Sequence, residues 1–342
     1  MPKDNENIPF PGPVEPSEPQ GFSAEQMIRC EECLRANPPT RVTCLYCLAP
    51  LPLTEDSLRL RKPVLQPPAK HQLGYNNILL PHPNAVSAQT ISDAAALLKL
   101  AAGSFEEILS QRMPLPVART ASREEAELVS GRLRDFGFDV VTLSDGDFCV
   151  SNSVRCVRSM SFDDESLTIH QAGAFDEVSW SDVVLIVLGR LFETRFEITE
   201  RKSRKPENEI LDTSEFFKDE AVVDFYTARH SLTWRVSANG FDFSCLGKEK
   251  TLIANENIGR LQQLLIAKAV NARVDDSYRQ VRGLLELVWS TQPETQSSGW
   301  RREGPGKLSV GMATIKRNEN QFTLYSRLLY HTHLNYGEMN ST

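Results

Sequence analysis

Four of the chain's seven cysteines lie within residues 30–47, CEECLRANPPTRVTCLYC. They form two CxxC pairs, Cys30 with Cys33 and Cys44 with Cys47, with ten residues between the pairs. Two thiolates three positions apart on a tight turn can face one ion, and two such turns supply the four sulfur ligands of a tetrahedral zinc site. Four sulfurs close the coordination sphere, so the spacing predicts one structural Zn²⁺ per chain. Iron in a sulfur site and free or redox-active thiols are the alternatives.

An asparagine between the two pairs adds to this pattern. Ran-binding nucleoporins and their relatives carry a zinc finger that reads Cys, two residues, Cys, three residues, Asn, six residues, Cys, two residues, Cys. The chain resembles it over residues 26–50, with Asn37 as the asparagine, and the resemblance implies that the four cysteines bind the ion. Asn37-Pro38 also resembles the short bacterial zinc ribbons, which place this dipeptide between two CxxC knuckles. Those ribbons usually have glycine after each knuckle, whereas this chain has Leu34 and Leu48.

The residues that bind partners in the finger family are replaced here. Ile28 stands where the family usually has tryptophan, and ubiquitin-binding members carry Thr-Phe after the second cysteine, where this chain has Leu34 and Arg35. RNA-binding members stack an exposed aromatic ring between bases. The only aromatic residue in this loop is Tyr46, and the acidic pair Glu31 and Glu32 repels phosphate. The resemblance therefore carries over to the metal ligands but not to a known binding partner.

The composition is that of a globular protein, with 342 residues, 40% hydrophobic and 24% charged. The net charge of -7 argues against a nucleic-acid binder that uses the whole chain. The N-terminus lacks the features of a secretory signal, and the longest apolar run, VVLIVLG at 183–189, is shorter than the about 20 residues that cross a bilayer. We expect a cytoplasmic protein without a transmembrane segment, with Cys149, Cys156 and Cys245 as small buried thiols.

Composition and periodicity predict a multidomain α+β fold. Its expected segments are a disordered lead-in (1–23), the zinc finger (24–52), a proline-rich linker (53–90), a helix plus a βαβ unit (91–150), an antiparallel β-rich domain closed by helices (151–290), and a polar tail with one hairpin (291–342).

Local signals are clearest between residues 91 and 150. Ser92 is expected to cap a first helix, and Ser122 with Glu125 forms the capping box of a second. Gly137 ends that helix, which lies between two strand patterns and so predicts a βαβ unit. The segment between the first strand and the helix lacks a glycine-rich phosphate loop, which argues against dinucleotide binding.

The alternation of apolar and polar residues after residue 153 predicts about seven antiparallel strands, followed by an amphipathic helix at 255–270. The motif VSWSDV at 178–183 and that helix resemble the pleckstrin-homology barrel over about 150–272. In such a barrel, the basic residues Arg201, Lys202, Arg204 and Lys205 could meet membrane phosphates, although an exposed loop is the simpler interpretation.

His331 and His333 are expected to be surface residues, since no further ligand accompanies them. The working hypothesis is a zinc-binding, non-enzymatic adaptor whose finger contacts a protein partner, nucleic acid being less favoured. The alternative is an enzyme or a membrane-surface regulator with its site in the β-rich domain and the finger as an accessory.

Overall fold

The computed structural model describes residues 21–41, 43–52, 63–69, 72–148, 154–171, 173–201, 209–228, 232–304 and 307–336. The chain divides into two compact units, residues 1–62 and 63–342. Most of the expected lead-in, the linker residues 53–62 and Cys149 lie outside the described residues. Among the helices described, none is long and apolar enough to cross a membrane.

The first unit contains a two-stranded antiparallel ladder and a very small core. Strand β1 (Ile28–Arg29) pairs with β2 (Ala36–Asn37). The buried apolar residues are Ile28, Cys30, Cys44 and Leu51. This core is too small to stabilise a fold without another source of energy, such as a bound metal.

The second unit mixes helices with three sheets. The helices are α1 (Ala88–Leu98), α2 (Ala102–Ser110), α3 (Arg123–Asp135), α4 (Ala254–Lys268), α5 (Tyr278–Leu285) and α6 (Glu319–Tyr336). The first sheet contains β3 (Tyr75–Leu79), β4 (Leu115–Thr120) and β5 (Val140–Ser144), and the second contains β7 (Ser159–Phe162), β8 (Ser166–Gln171) and β9 (Ala174–Ser179). The third contains β6 (Arg155–Cys156), β10 (Val183–Arg201), β11 (Glu209–Thr227), β12 (Trp234–Ser237), β13 (Arg273–Asp275), β14 (Glu294–Gly304) and β15 (Lys307–Arg317).

The expected βαβ unit has an additional central strand. Strands β4 and β5 flank β3, which is antiparallel to both, so the two strands joined by α3 are not neighbours. Strand β3 comes from the segment expected to be a linker. Its sequence, YNNIL, does not predict a strand, because two asparagines are unfavourable in an isolated strand.

Tertiary hydrogen bonds compensate for these two asparagines. The amide of Asn76 donates to Asp145 at 2.9 Å and accepts from the indole of Trp289 at 2.8 Å. The amide of Asn77 donates to the carbonyl of Ala126 at 2.7 Å. Both side chains are fully buried, and their partners come from elements that sequence periodicity does not connect.

The helix caps agree with expectation in part. The hydroxyl of Ser122 accepts the amide of Glu125 at 3.3 Å, as the capping box requires. The carboxylate of Glu125 does not reach back to the cap, however, and instead accepts the amide of Leu65. Helix α1 begins earlier than expected, since its cap is Ser87 and Ser92 lies inside the helix.

Strand β10 is buried on both of its faces, which explains the apolar run VVLIVLG. Leu185 and Val187 belong to one apolar cluster, which includes α6, whereas Ile186 belongs to a second cluster, which includes α4. Because side chains alternate across a strand, a continuous apolar run is the pattern of a strand packed on both sides.

Within the segment expected to be a polar tail with one hairpin, β14 pairs with β15, and a helix follows. Residues 319–336 form α6, whose Phe322, Tyr325 and Leu328 are completely buried. One apolar cluster contains residues of α6, β3, β10 and α5, so the segment expected to be a linker contributes to the same core as residues from 151–290 and from α6.

The sheets of the second unit include a curled half-barrel, and the second apolar cluster contains residues of β8, β10, β11, β12 and α4. The apolar run at 183–189 lies in one long strand, β10, which continues to Arg201. Residues 243–249 form 3-10 turns. Cys156 is exposed rather than buried, whereas Cys245 is half-buried and burial raises its pKa to about 11.

Candidate metal centre

The two CxxC pairs meet in the first unit. The sulfur atoms of Cys30, Cys33, Cys44 and Cys47 all lie within 4.8 Å of one another, and the Cys30–Cys47 and Cys33–Cys44 distances are both 3.5 Å. In a tetrahedral zinc site with Zn–S bonds of about 2.3 Å, sulfur atoms are about 3.8 Å apart. The four sulfurs could therefore hold a metal ion with little movement.

Each pair lies on a knuckle turn of the same construction. The amide of Leu34 donates to the carbonyl of Cys30 at 2.9 Å, and the amide of Leu48 donates to the carbonyl of Cys44 at 3.1 Å. The residue after each pair takes a left-handed conformation, with φ of 58° at Leu34 and 62° at Leu48. Glycine adopts this conformation without strain, whereas for other L-residues it costs about 1–2 kcal/mol.

The side chains of these two leucines gain nothing from burial that would offset this strain. Leu34 is 70% exposed and Leu48 is 74% exposed. Leu45 and Tyr46 on the second knuckle are also exposed, and the guanidinium of Arg35 lies over the Tyr46 ring at 4.6 Å from its centre. The finger thus presents an apolar surface formed by both knuckles.

Asn37 connects the two knuckles. Its side-chain amide donates to the carbonyl of Arg35 at 2.9 Å and to the sulfur of Cys44 at 3.4 Å, and its oxygen accepts the amide of Leu45 at 2.8 Å. The side chain is fully buried. Hydrogen bonds of this kind orient metal ligands and favour their charged form.

The thiol groups differ in acidity because their surroundings differ. Burial opposes ionisation of Cys44, but backbone amides of Cys47 and Tyr46 and the amide of Asn37 donate to its sulfur, and the pKa falls to about 6. The amide of Ala49 lowers the pKa of Cys47, but burial and the three neighbouring sulfurs outweigh it and raise that pKa to about 12. Four adjacent sulfurs cannot all be ionised without a cation between them.

The other sequence candidates do not assemble into a site. His331 and His333, which were expected to be surface residues, are half-buried on α6. The four cysteines are the one group of three or more potential metal ligands found within the described residues. Asp145, directly after β5, accepts the amide of Gly74 at 2.7 Å and pairs with Arg119, so it stabilises the fold. The basic residues 202, 204 and 205 lie outside the described residues.

Sequence reasoning missed two features. The left-handed conformation of Leu34 and Leu48 had a signal, because zinc ribbons usually carry glycine at both positions. A cleft beside α4 and α5 had none, because its lining comes from four separate elements.

Comparisons with known proteins add no relative: no family model, no curated protein and no solved structure matches this chain, so neither the Ran-binding nor the pleckstrin-homology resemblance gains support from a family match.

Proposed function

We propose that this protein is a zinc-binding interaction protein without enzymatic activity, whose finger holds one structural Zn²⁺ through Cys30, Cys33, Cys44 and Cys47 and contacts a protein partner. The observation that carries the proposal is the closed set of four sulfurs together with the exposed leucines beside it. A site whose ligands are all sulfur leaves no position for a substrate. Because thiolate ligands need a reducing compartment, we place the protein in the cytoplasm.

The sequence of the knuckles, the spacing of the two CxxC pairs and the small core favour zinc over iron. Rubredoxin-type iron centres also use two CxxC pairs, but their knuckles usually carry glycines and lie farther apart in the sequence. The finger's small core also fits a fold that forms only when a metal binds.

Elemental analysis tests the metal assignment. Protein purified under reducing conditions should contain one zinc per chain, and Cys44→Ser should abolish that content. Cys156→Ser is the control, since Cys156 is an exposed thiol outside the cluster, and it should leave the zinc content unchanged. Iron in place of zinc, or protein without metal, would contradict the assignment.

The charges and rings of the finger favour a protein partner over nucleic acid. Glu31 and Glu32 are exposed on the first knuckle, and the guanidinium of Arg35 lies over the ring of Tyr46. An apolar surface beside an acidic pair suits a protein interface better than a phosphate backbone.

A double substitution tests the adaptor role without removing the metal. Leu34→Gly with Leu48→Gly removes both exposed side chains and suits the left-handed backbone. The proteins retained by the full chain should be compared with those retained by this variant and by a chain without residues 24–52. If both variants retain every partner of the full chain, the finger is not the contact surface and the adaptor role is wrong.

A further inference from the structure

A cleft of about 710 Å³ opens in the second unit between strands β10 and β11 and helices α4 and α5. This volume is in the range of small-molecule sites. Leu188, Arg190 and Phe192 alternate along β10 and therefore lie on one face of the sheet, where they form the floor. Phe217 extends the apolar floor outward, and its side chain is 68% exposed.

The cleft lining contains three arginines, Arg190, Arg279 and Arg282, and two aspartates, Asp219 and Asp276, and its excess positive charge comes from α5. Arg190 is neutralised by Asp219, with both nitrogen–oxygen distances at 2.9 Å. Arg279 and Arg282 lie one turn apart on α5 and have no carboxylate partner within the part of the chain that the structure describes. The guanidinium of Arg282 lies 5.3 Å from the centre of the Phe192 ring, at the boundary between the apolar floor and the charged wall.

Helix α4 forms the opposite wall and leaves space for a ligand. Asn255 and Gln262 are seven residues apart, so both lie on the face toward the cleft, and neither amide has a hydrogen-bond partner among the described residues. Between them is Gly259, where an added Cβ would meet no atom within 4 Å. Because Gly259 lines the cleft, a larger side chain at this position would extend into that open space.

We propose that this cleft binds a small organic anion, in which a phosphate or carboxylate group is attached to an apolar group. Arg279 and Arg282 hold the oxyanion, because guanidinium groups match the planar, two-point geometry of such anions. Phe192 and Phe217 hold the apolar part, and Asn255 and Gln262 supply neutral hydrogen bonds. This site does not involve the zinc finger, so an experiment that contradicts the anion site leaves the proposed function untouched, and the reverse also holds.

Phenyl phosphate is a suitable probe because it combines both parts of the ligand. Titration into the full zinc-loaded chain should give one saturable site with a dissociation constant on the order of 1 mM, as expected for a fragment of this size. Inorganic phosphate and phenol should each bind at least tenfold more weakly. Arg279→Gln with Arg282→Gln should weaken phenyl phosphate at least tenfold, whereas Arg260→Gln, on α4 but outside the cleft lining, should not.

Gly259→Leu provides a second variant that does not depend on charge. It fills the cleft and improves helix propensity, so the melting temperature should hold or rise while binding is lost.

Vesicles of phosphatidic acid in phosphatidylcholine distinguish the source of the anion. If the vesicles retain the protein, and retention depends on Arg279 and Arg282, the ligand is a lipid headgroup. If they do not retain it, the ligand is a soluble anion. The proposal is overturned if phenyl phosphate does not saturate, if the double arginine variant binds normally, or if inorganic phosphate binds as well as phenyl phosphate.

Discussion

Arg235 and Asp224 form a two-point ion pair across strands β12 and β11, with nitrogen–oxygen distances of 2.7 and 2.8 Å. Neither side chain is more than 1% exposed. Arg235 also donates to the hydroxyl of Thr323 at 3.0 Å, so the pair connects the sheet to α6. The buried charges of this pair keep all of these hydrogen bonds only while both partners and α6 are in place.

Removing one partner of this pair should be far more harmful than removing both. Arg235→Met leaves the Asp224 carboxylate buried without a counter-ion, and we expect a loss of about 3–5 kcal/mol in the free energy of unfolding. Combining Arg235→Met with Asp224→Leu should recover most of that loss. Urea denaturation measures both, and the exposed pair of Arg123 with Glu127 is the control, where Arg123→Met should cost less than about 1 kcal/mol.

Asn37→Ala should weaken zinc binding by about 10- to 100-fold, because the Cys44 sulfur loses a donor and the two knuckles lose their connection. Competition with a zinc-binding dye measures the affinity. The control is Glu32→Ala, an exposed residue between two ligands of the first knuckle, which should change it little. Equal affinity in the wild type and Asn37→Ala would show that the hydrogen bonds do not orient the ligands.

Replacing both knuckle leucines with glycine should tighten zinc binding, roughly tenfold, because glycine adopts a φ near 60° without strain. Part of the gain is lost to the greater freedom of glycine in the unfolded finger. Leu45→Gly is the matched control: Leu45 is also exposed but has no positive φ, so this change should not tighten binding. Weaker binding in the double variant would mean that the leucines stabilise the finger.

Gly189→Ala should destabilise the second unit by about 1–3 kcal/mol, because the added Cβ would lie 2.3 Å from the Phe322 ring. Gly283→Ala on α5 has no atom within 4 Å of the added Cβ, so it should stabilise the helix by up to about 1 kcal/mol. Thermal unfolding of the two variants should therefore shift in opposite directions. An unchanged melting temperature for Gly189→Ala would show that α6 packs on β10 less closely than the distance to Phe322 indicates.

Acid should destabilise the second unit through α6. Burial lowers the pKa of His331, partly offset by Asp147, and burial together with the charge of Arg273 lowers the pKa of His333. Since the unfolded histidines bind protons first, this contribution is complete above the ordinary pKa of about 6.5 and is lost as the pH falls through the lowered values. His331→Asn with His333→Asn should reduce the fall in melting temperature between neutral and mildly acid pH. An unchanged pH dependence in this variant would assign the effect to other groups.

Local signals predicted the elements that depend on local chemistry. The spacing of the cysteines indicated their common site, and the cap at Ser122 placed the start of α3 correctly. Strand β3 was missed because its asparagines are stable there only through partners such as Trp289, which lies far away in the sequence. Residues 319–336 were assigned to a polar tail and not to a helix, since apolar residues occur all round α6 and leave no clear helical stripe.

The burial of α6 has a consequence for how this protein is made. Its rings cover Gly189 and Tyr278, and its apolar residues belong to the same cluster as β3. During translation, the ribosome must therefore release residues 319–336 before that cluster can close, and the nascent chain carries an uncovered apolar surface until then. A transcript truncated before codon 319 should accordingly yield a polypeptide that binds chaperones and is degraded.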